Sequence, residues 1–188
     1  EGWTAMTKIM ILEDSMDSLM ALTAMIKKIS KDIAVVPVES LEKARAALQD
    51  EANLFQAFLL DINLDEQDME DASGMEFARQ VRNDIRYAFT PLVMITSIAN
   101  LELAAYRELH CYQYILKPYD EEEIEKLIHK VLFQTGESKE PFVLVKKEGV
   151  NYKIYCKDIV YLYAIPRGIC LVLQKETMKI PYLSIKQI

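Results

Sequence analysis

The chain has 188 residues, 51% of them hydrophobic, with 22 Lys/Arg against 29 Asp/Glu and a formal net charge of −7. That length holds one large domain or two small ones, each with a core of its own. No run of about eighteen apolar residues is present to cross a membrane, and no charged–apolar–small segment opens the chain as a secretory signal. The charge is uneven: residues 1–134 sum to −11 and residues 135–188 to +4, as expected for two modules with different partners. Cys111, Cys156 and Cys170 are odd in number and lack metal spacing. Their apolar surroundings predict buried free thiols in a reducing cytoplasm.

Residues 1–5 show no periodicity and read as a cloning scar ahead of a natural start at Met6. Lys8–Leu12 is a short apolar run of strand length. Met16–Ile29 places Leu19, Leu22, Ile26 and Ile29 at helical spacing, with Ser15 positioned as its cap. Ile33–Val38 is β-branched and strand-like, and Ser40 precedes a second helix over Leu41–Gln49. A third strand, Ala57–Leu60, runs into an acidic stretch and then a helix over Gly74–Asn83. Pro91–Ile95 is a fourth strand, Leu101–Leu109 a fourth helix and Tyr112–Leu116 a fifth strand. Asp120 caps a last helix whose Ile124, Leu127, Ile128, Val131 and Leu132 form one apolar stripe. His129 falls off that stripe without an expected partner, and His110 reads as structural or exposed.

Apolar strands alternating with helices predict a doubly wound α/β domain with a five-stranded parallel sheet, flavodoxin-like, over residues 6–134. The polar run QTGESKEP, Gln134–Pro141, supplies a linker at 135–141. Beyond it only strand-like runs remain: FVLVKK, YKIYC, IVYLYA, ICLVLQ and MKIPYL, with turn signals between them. Residues 142–188 therefore read as a small all-β domain that is still incomplete at Ile188, where Ser184 is placed to open a helix.

In a doubly wound sheet the ligand site lies at the carboxyl ends of the strands. Glu13 and Asp14 follow the first strand, Asp61 and Asn63 the third, Thr96 the fourth and Lys117 the fifth. Three carboxylates at one edge repel unless a cation neutralises them. Mg²⁺ fits, with Asp14, Asp61 and the backbone carbonyl of Asn63 as ligands and Glu13 holding a coordinated water. A lysine and a hydroxyl aimed at the same point suit an arriving phosphoryl group, with Asp61 as the nucleophile. The acids from Asp65 to Asp71 read mainly as a solvated loop face, with an accessory metal or docking role as the alternative.

The segments ILED, FLLDIN, VMITS and YILKPYD, in this order, resemble the receiver domain of two-component response regulators. That resemblance implies that Asp61 is the phosphoacceptor for a histidine kinase and that Glu13 and Asp14 are the acidic pair for Mg²⁺. It further implies that Thr96 is the switch hydroxyl, Lys117 the phosphate-contacting lysine and Tyr114 the switch aromatic. The family commonly has a Pro soon after the aspartate and a Gly nearer to it. Here the Pro is missing and Gly74 lies thirteen residues on, so the loop is lengthened by mostly acidic residues. DIVYLYA, ICLVLQ and IPYLSIKQI resemble the start of a LytTR-type DNA-binding domain. This implies a transcription regulator that contacts promoter DNA, with Arg167 as the candidate contact and Lys146, Lys147, Lys153 and Lys157 adding sequence-independent attraction. The implied switch is phosphorylation, then repacking from the fourth helix to the fifth, then homodimerisation on a face with Tyr106 and Tyr114. Two rivals are a receiver acting only as a relay or interaction module, and an aspartate-nucleophile phosphatase of the haloacid-dehalogenase type. The phosphatase needs an acid two residues after its nucleophile, where this chain has Asn63.

Overall fold

A computed structural model describes residues 7–50, 52–65, 67–68, 70–137 and 142–184. The chain forms two compact units, residues 1–135 and 136–188. The segment ahead of Met6 and the helix expected after Ser184 lie outside the described residues.

The first unit alternates strand and helix: β1 (Thr7–Leu12), α1 (Met16–Ile29), β2 (Ile33–Val38), α2 (Leu41–Gln49), β3 (Ala57–Leu60), α3 (Ser73–Asn83), a 3₁₀ turn (Ile85–Tyr87), β4 (Leu92–Thr96), α4 (Glu102–Leu109), β5 (Gln113–Leu116) and α5 (Glu121–Glu137). The strands pair in parallel in the order β2-β1-β3-β4-β5. The order reverses at β1 and β3, which makes their carboxyl ends the switch point. Every residue of β3 and β4 is buried, as expected of strands covered on both faces.

The pleat divides these apolar strands between two cores. Met10, Leu12, Phe58, Leu60 and Met94 pack with Phe77, Ala78 and Val81 of α3 and with Tyr87. Ile9, Ile11, Leu59, Val93 and Ile95 pack with Leu22 and Ile26 of α1 and Leu127 and Ile128 of α5. Ser15, Ser40 and Asp120 cap their helices, accepting from the backbone N–H of Ser18, Lys43 and Glu123 at 3.4, 3.3 and 2.8 Å. His110 closes α4 in the left-handed region at φ 47°.

Arg82 joins three elements. Its guanidinium donates to the carbonyls of Leu109 (2.6 Å), Thr90 (2.7 Å), Tyr87 (3.0 Å) and His110 (3.3 Å). Burial lowers its pKa to about 10, and the planar fork fixes the C-terminal end of α4 against α3.

Three local expectations are corrected. The helix α5 continues to Glu137, so residues 135–137, expected in the linker, are helical; Gly136 weakens a helix by about 1 kcal/mol without ending it. Cys156 is exposed, because it opens a 3₁₀ turn (Cys156–Asp158) at the end of a strand, whereas Cys111 and Cys170 are buried. His129 does have a neighbour: its Nε2 lies 3.6 Å from Glu125 Oε1, one helical turn earlier.

The second unit is antiparallel. A hairpin pairs β6 (Phe142–Lys147) with β7 (Val150–Tyr155), and a three-stranded sheet has the order β10-β9-β8, with β8 Ile159–Ile165, β9 Gly168–Leu173 and β10 Thr177–Pro181. Val145 and Ile154 from the hairpin share a core with Ile169, Leu171, Met178 and Ile180. Glu148 and Gly149 both have positive φ (52° and 82°), the two-residue turn whose twist suits a tight hairpin. Among the described residues no helix is long and apolar enough to cross a membrane.

Candidate functional site

The parallel ladder continues one step past the strands and sets their first polar residues in a row. Asp61 N–H donates to Leu12 O at 2.9 Å, Lys117 N–H to Thr96 O at 2.9 Å, and Glu13 N–H to Val38 O at 3.2 Å. Glu13, Asp14 and Asp61 each offer a carboxylate oxygen within 4.8 Å of the others. Lys117 reaches into the group: its Nζ is 2.5 Å from Asp61 Oδ2 and 2.6 Å from Glu13 Oε2. Asp61, Glu13 and Thr96 are buried.

The charges shift one another in a definite direction. Burial raises the Glu13 carboxyl above the ordinary carboxylate range; the nearby Asp61 charge adds to this and Lys117 works against it. For Lys117, burial pulls downward, but the hydrogen bonds to Asp61 and Glu13 outweigh it and hold the ammonium above its usual value. The ion pair is therefore strong and shielded, and Lys117 stays charged throughout the physiological range.

A hydrogen-bonded chain leads from this cluster to α4. Thr96 Oγ1 accepts from Ile98 N–H at 3.3 Å. The hydroxyl of Tyr114 donates to Ile98 O, and Tyr114 N–H donates to Tyr106 Oη at 3.2 Å. Burial, with the charges of Glu102, Cys111 and Asp61 behind it, pushes the Tyr114 phenol up to about 12. Tyr114 is only 8% exposed, so it joins the β4–α4 loop to α4 from inside. The outer face expected to include both tyrosines has Tyr106 alone at its surface, 39% exposed.

Asn63 sits beside the cluster through its backbone, its N–H donating to Asp61 Oδ1 at 3.2 Å. Its side chain turns away into the acidic loop, accepting from Asp65 N–H (3.0 Å) and donating to Asp68 O (2.8 Å). The loop acids are largely turn-formers. Asp65 and Asp68 accept from N–H groups two residues on, and Asp71 accepts from Leu64 N–H (2.7 Å), Ser73 N–H (3.2 Å) and Ser73 Oγ (2.8 Å). These are side-chain-to-backbone turns. A cleft of about 550 Å³ lies between this loop and α1, lined by Asp14, Asp17 and Asp65 among others.

Two residues escape the sequence reading. Asp71, treated above as one of a solvated series, closes the loop; the Asp-x-Ser spacing at Asp71–Ser73 was its signal. Gly74 seats α3 on the site: its N–H donates to Ile62 O at 2.9 Å, and a Cβ there would fall 1.8 Å from Asp61 O. Arg167 belongs to the second unit, exposed in the β8–β9 turn at φ 62°, with its carbonyl accepting from Tyr182 N–H at 2.7 Å.

The first unit is thus a doubly wound α/β domain with three carboxylates, a lysine and a buried hydroxyl at its switch point. Residues 9–129 match the family model of the response regulator receiver domain, and the chain belongs to that family. Among solved structures, the response regulatory domain of protein mrkE from Klebsiella pneumoniae is 26% identical with a TM-score of 0.60, covering 70% of this chain and 100% of its own. Chemotaxis response regulator CheY4 of Vibrio cholerae (23%, TM-score 0.56, 68% and 99%) and a CheY-like receiver domain protein from Methanospirillum hungatei JF-1 (19%, 0.58, 70% and 98%) share the fold. No curated protein matches the sequence.

Gly74→Ala is expected to destabilise the first unit by about 1–3 kcal/mol or more, because the added methyl meets backbone instead of a flexible side chain; urea unfolding measures it. In metal-free buffer, Lys117→Met is expected to raise the Glu13 pKa further. The substitution removes the two lysine effects that lower it and leaves burial and Asp61, which raise it; carboxyl ¹³C NMR titration of both proteins reads the shift.

Proposed function

We propose that the chain is a phosphorylation-switched response regulator in which Asp61 accepts a phosphoryl group from the phosphohistidine of a histidine kinase. The observation that carries this reading is Lys117 Nζ held 2.5 Å from Asp61 Oδ2 inside a three-carboxylate cluster. A carboxylate oxygen of Asp61 attacks phosphorus as the P–N bond breaks, and the electron pair leaves with the imidazole, giving an acyl phosphate. Lys117, already at Asp61, keeps its ammonium against the new negative charge. The Thr96 hydroxyl uses an oxygen lone pair on Ile98 and retains a proton to give to a phosphoryl oxygen.

The three carboxylates are hard oxygen donors close enough to share one divalent cation, which fits Mg²⁺. Glu13, Asp14, Asp61 and the carbonyl of Asn63 would hold it. When bound, it supplies neutralisation of the acids and of the phosphoryl charge. The role is a switch, without sustained turnover of small phosphate esters.

Output follows the chain of hydrogen bonds. When Thr96 turns to the phosphoryl group its bond to Ile98 is lost, and Tyr114 passes the rearrangement to Tyr106 on α4. The face from α4 to α5 then pairs two copies. Pairing raises the affinity of two second units for promoter DNA by effective concentration. The DNA-binding assignment rests on the resemblance of residues 142–188 to a LytTR-type domain, on the basic balance of that segment and on Arg167 in its exposed turn.

Incubation with Mg²⁺ and a small phosphodonor is expected to add one phosphoryl group to the intact mass. The gain should vanish in Asp61→Asn and on chelation of the metal. Equal phosphorylation of Asp61→Asn would refute the assignment.

A further inference from the structure

The β6–β7 hairpin presents two unlike faces. Val143, Val145, Tyr152 and Ile154 turn to the core of the second unit. By strand alternation the opposite face carries Phe142 paired with Tyr155, Leu144 with Lys153, and Lys146 with Asn151. Among the described residues of its two strands, that face holds two lysines, two aromatic rings and no carboxylate. Phe142 is 40% exposed, and its ring stands edge-on to Tyr155 with centroids 6.4 Å apart. The Lys153 ammonium lies 4.3 Å from the Phe142 ring centre and 5.3 Å from that of Tyr155, and Lys157 Nζ lies 5.5 Å from Tyr155.

We infer that this outer hairpin face is a docking surface for the phosphate backbone of duplex DNA, with Lys146 and Lys153 as its phosphate contacts; this rests on the DNA-binding reading of the second unit. Charge complementarity selects the occupant. The face is cationic within a segment of net charge +4, in a chain whose remainder is strongly acidic. The rings add a second property. An ordinary surface lysine loses rotamer freedom when it grips a phosphate; Lys153 is already held by two π faces and has less to lose. Its remaining donors are available to an anion, since the rings engage charge without accepting its N–H bonds in the way a carboxylate would. Contacts of this kind fix the position of a duplex and leave sequence readout to other residues.

The test uses the full chain, a mixed-sequence duplex and fluorescence anisotropy over a range of KCl concentrations. Lys146→Gln with Lys153→Gln is expected to weaken binding about tenfold and to reduce the slope of log K against log salt by about two, one per lost phosphate contact. Lys175→Gln in the β9–β10 turn with Lys179→Gln on β10, the same charge change away from the hairpin, is expected to alter the slope by less than about one. Phe142→Leu keeps the charge and is expected to weaken binding about two- to threefold with the slope unchanged, because it frees Lys153. Circular dichroism confirms that each variant is folded. If the two double variants lose equally, or Lys146/Lys153 loses nothing, the surface is wrong while DNA binding stands. If the unaltered chain binds no duplex at any salt, the DNA-binding reading fails and takes the surface with it. Dependence on Lys146 and Lys153 for anionic phospholipid vesicles, with DNA binding unaffected, would overturn the choice of occupant.

Discussion

Three carboxylates held within 4.8 Å at the end of a buried sheet are the constraint around which the first unit is organised. Like charges at that spacing repel one another. The fold tolerates this because Lys117 arrives from β5 and bonds two of the three. In the structure the cation that answers them is the Lys117 ammonium.

The acidic loop after Asn63 is held beside the site by its own side chains. Gly74, thirteen residues after Asp61, lets α3 approach the Asp61 backbone. Asp65, Asp68 and Asp71 each bond nearby N–H groups, while Asn63 ties its side chain to the loop and its N–H to Asp61. The loop and the site thus share one residue. From there the path to the periphery runs through Thr96, Ile98, Tyr114 and Tyr106, a contiguous physical connection whose interior position explains why Tyr114 is buried where a surface role had been expected.

Much of this was legible beforehand because the relevant signals are local. Strand runs such as AFLL and LVMI are apolar throughout, caps such as Ser15 precede their helices directly, and parallel topology alone brings Glu13, Asp61, Thr96 and Lys117 to one edge. What stayed hidden depends on contacts between distant segments or on the identity of a single neighbour. Beyond the Ser two residues on, Asp71 looks like the acids before it until its partner Leu64 is in place. Arg82 looks like a surface arginine of α3 until four carbonyls from other elements surround it. Cys156 shares its apolar context with Cys170, yet the 3₁₀ turn exposes one while the sheet buries the other. The stripe of α5 was read correctly and its end was not, since polar residues after Phe133 remove the periodicity without breaking the helix.

The central claim is that one carboxylate among many is the reactive one. Borohydride reduction of the phosphorylated protein converts an acyl-phosphorylated aspartate to homoserine, and peptide mass spectrometry then locates it. The account predicts homoserine at Asp61 alone. Homoserine at Asp14, Asp65, Asp68 or Asp71 in place of Asp61, or at none of them from a protein that has gained phosphate, would contradict it.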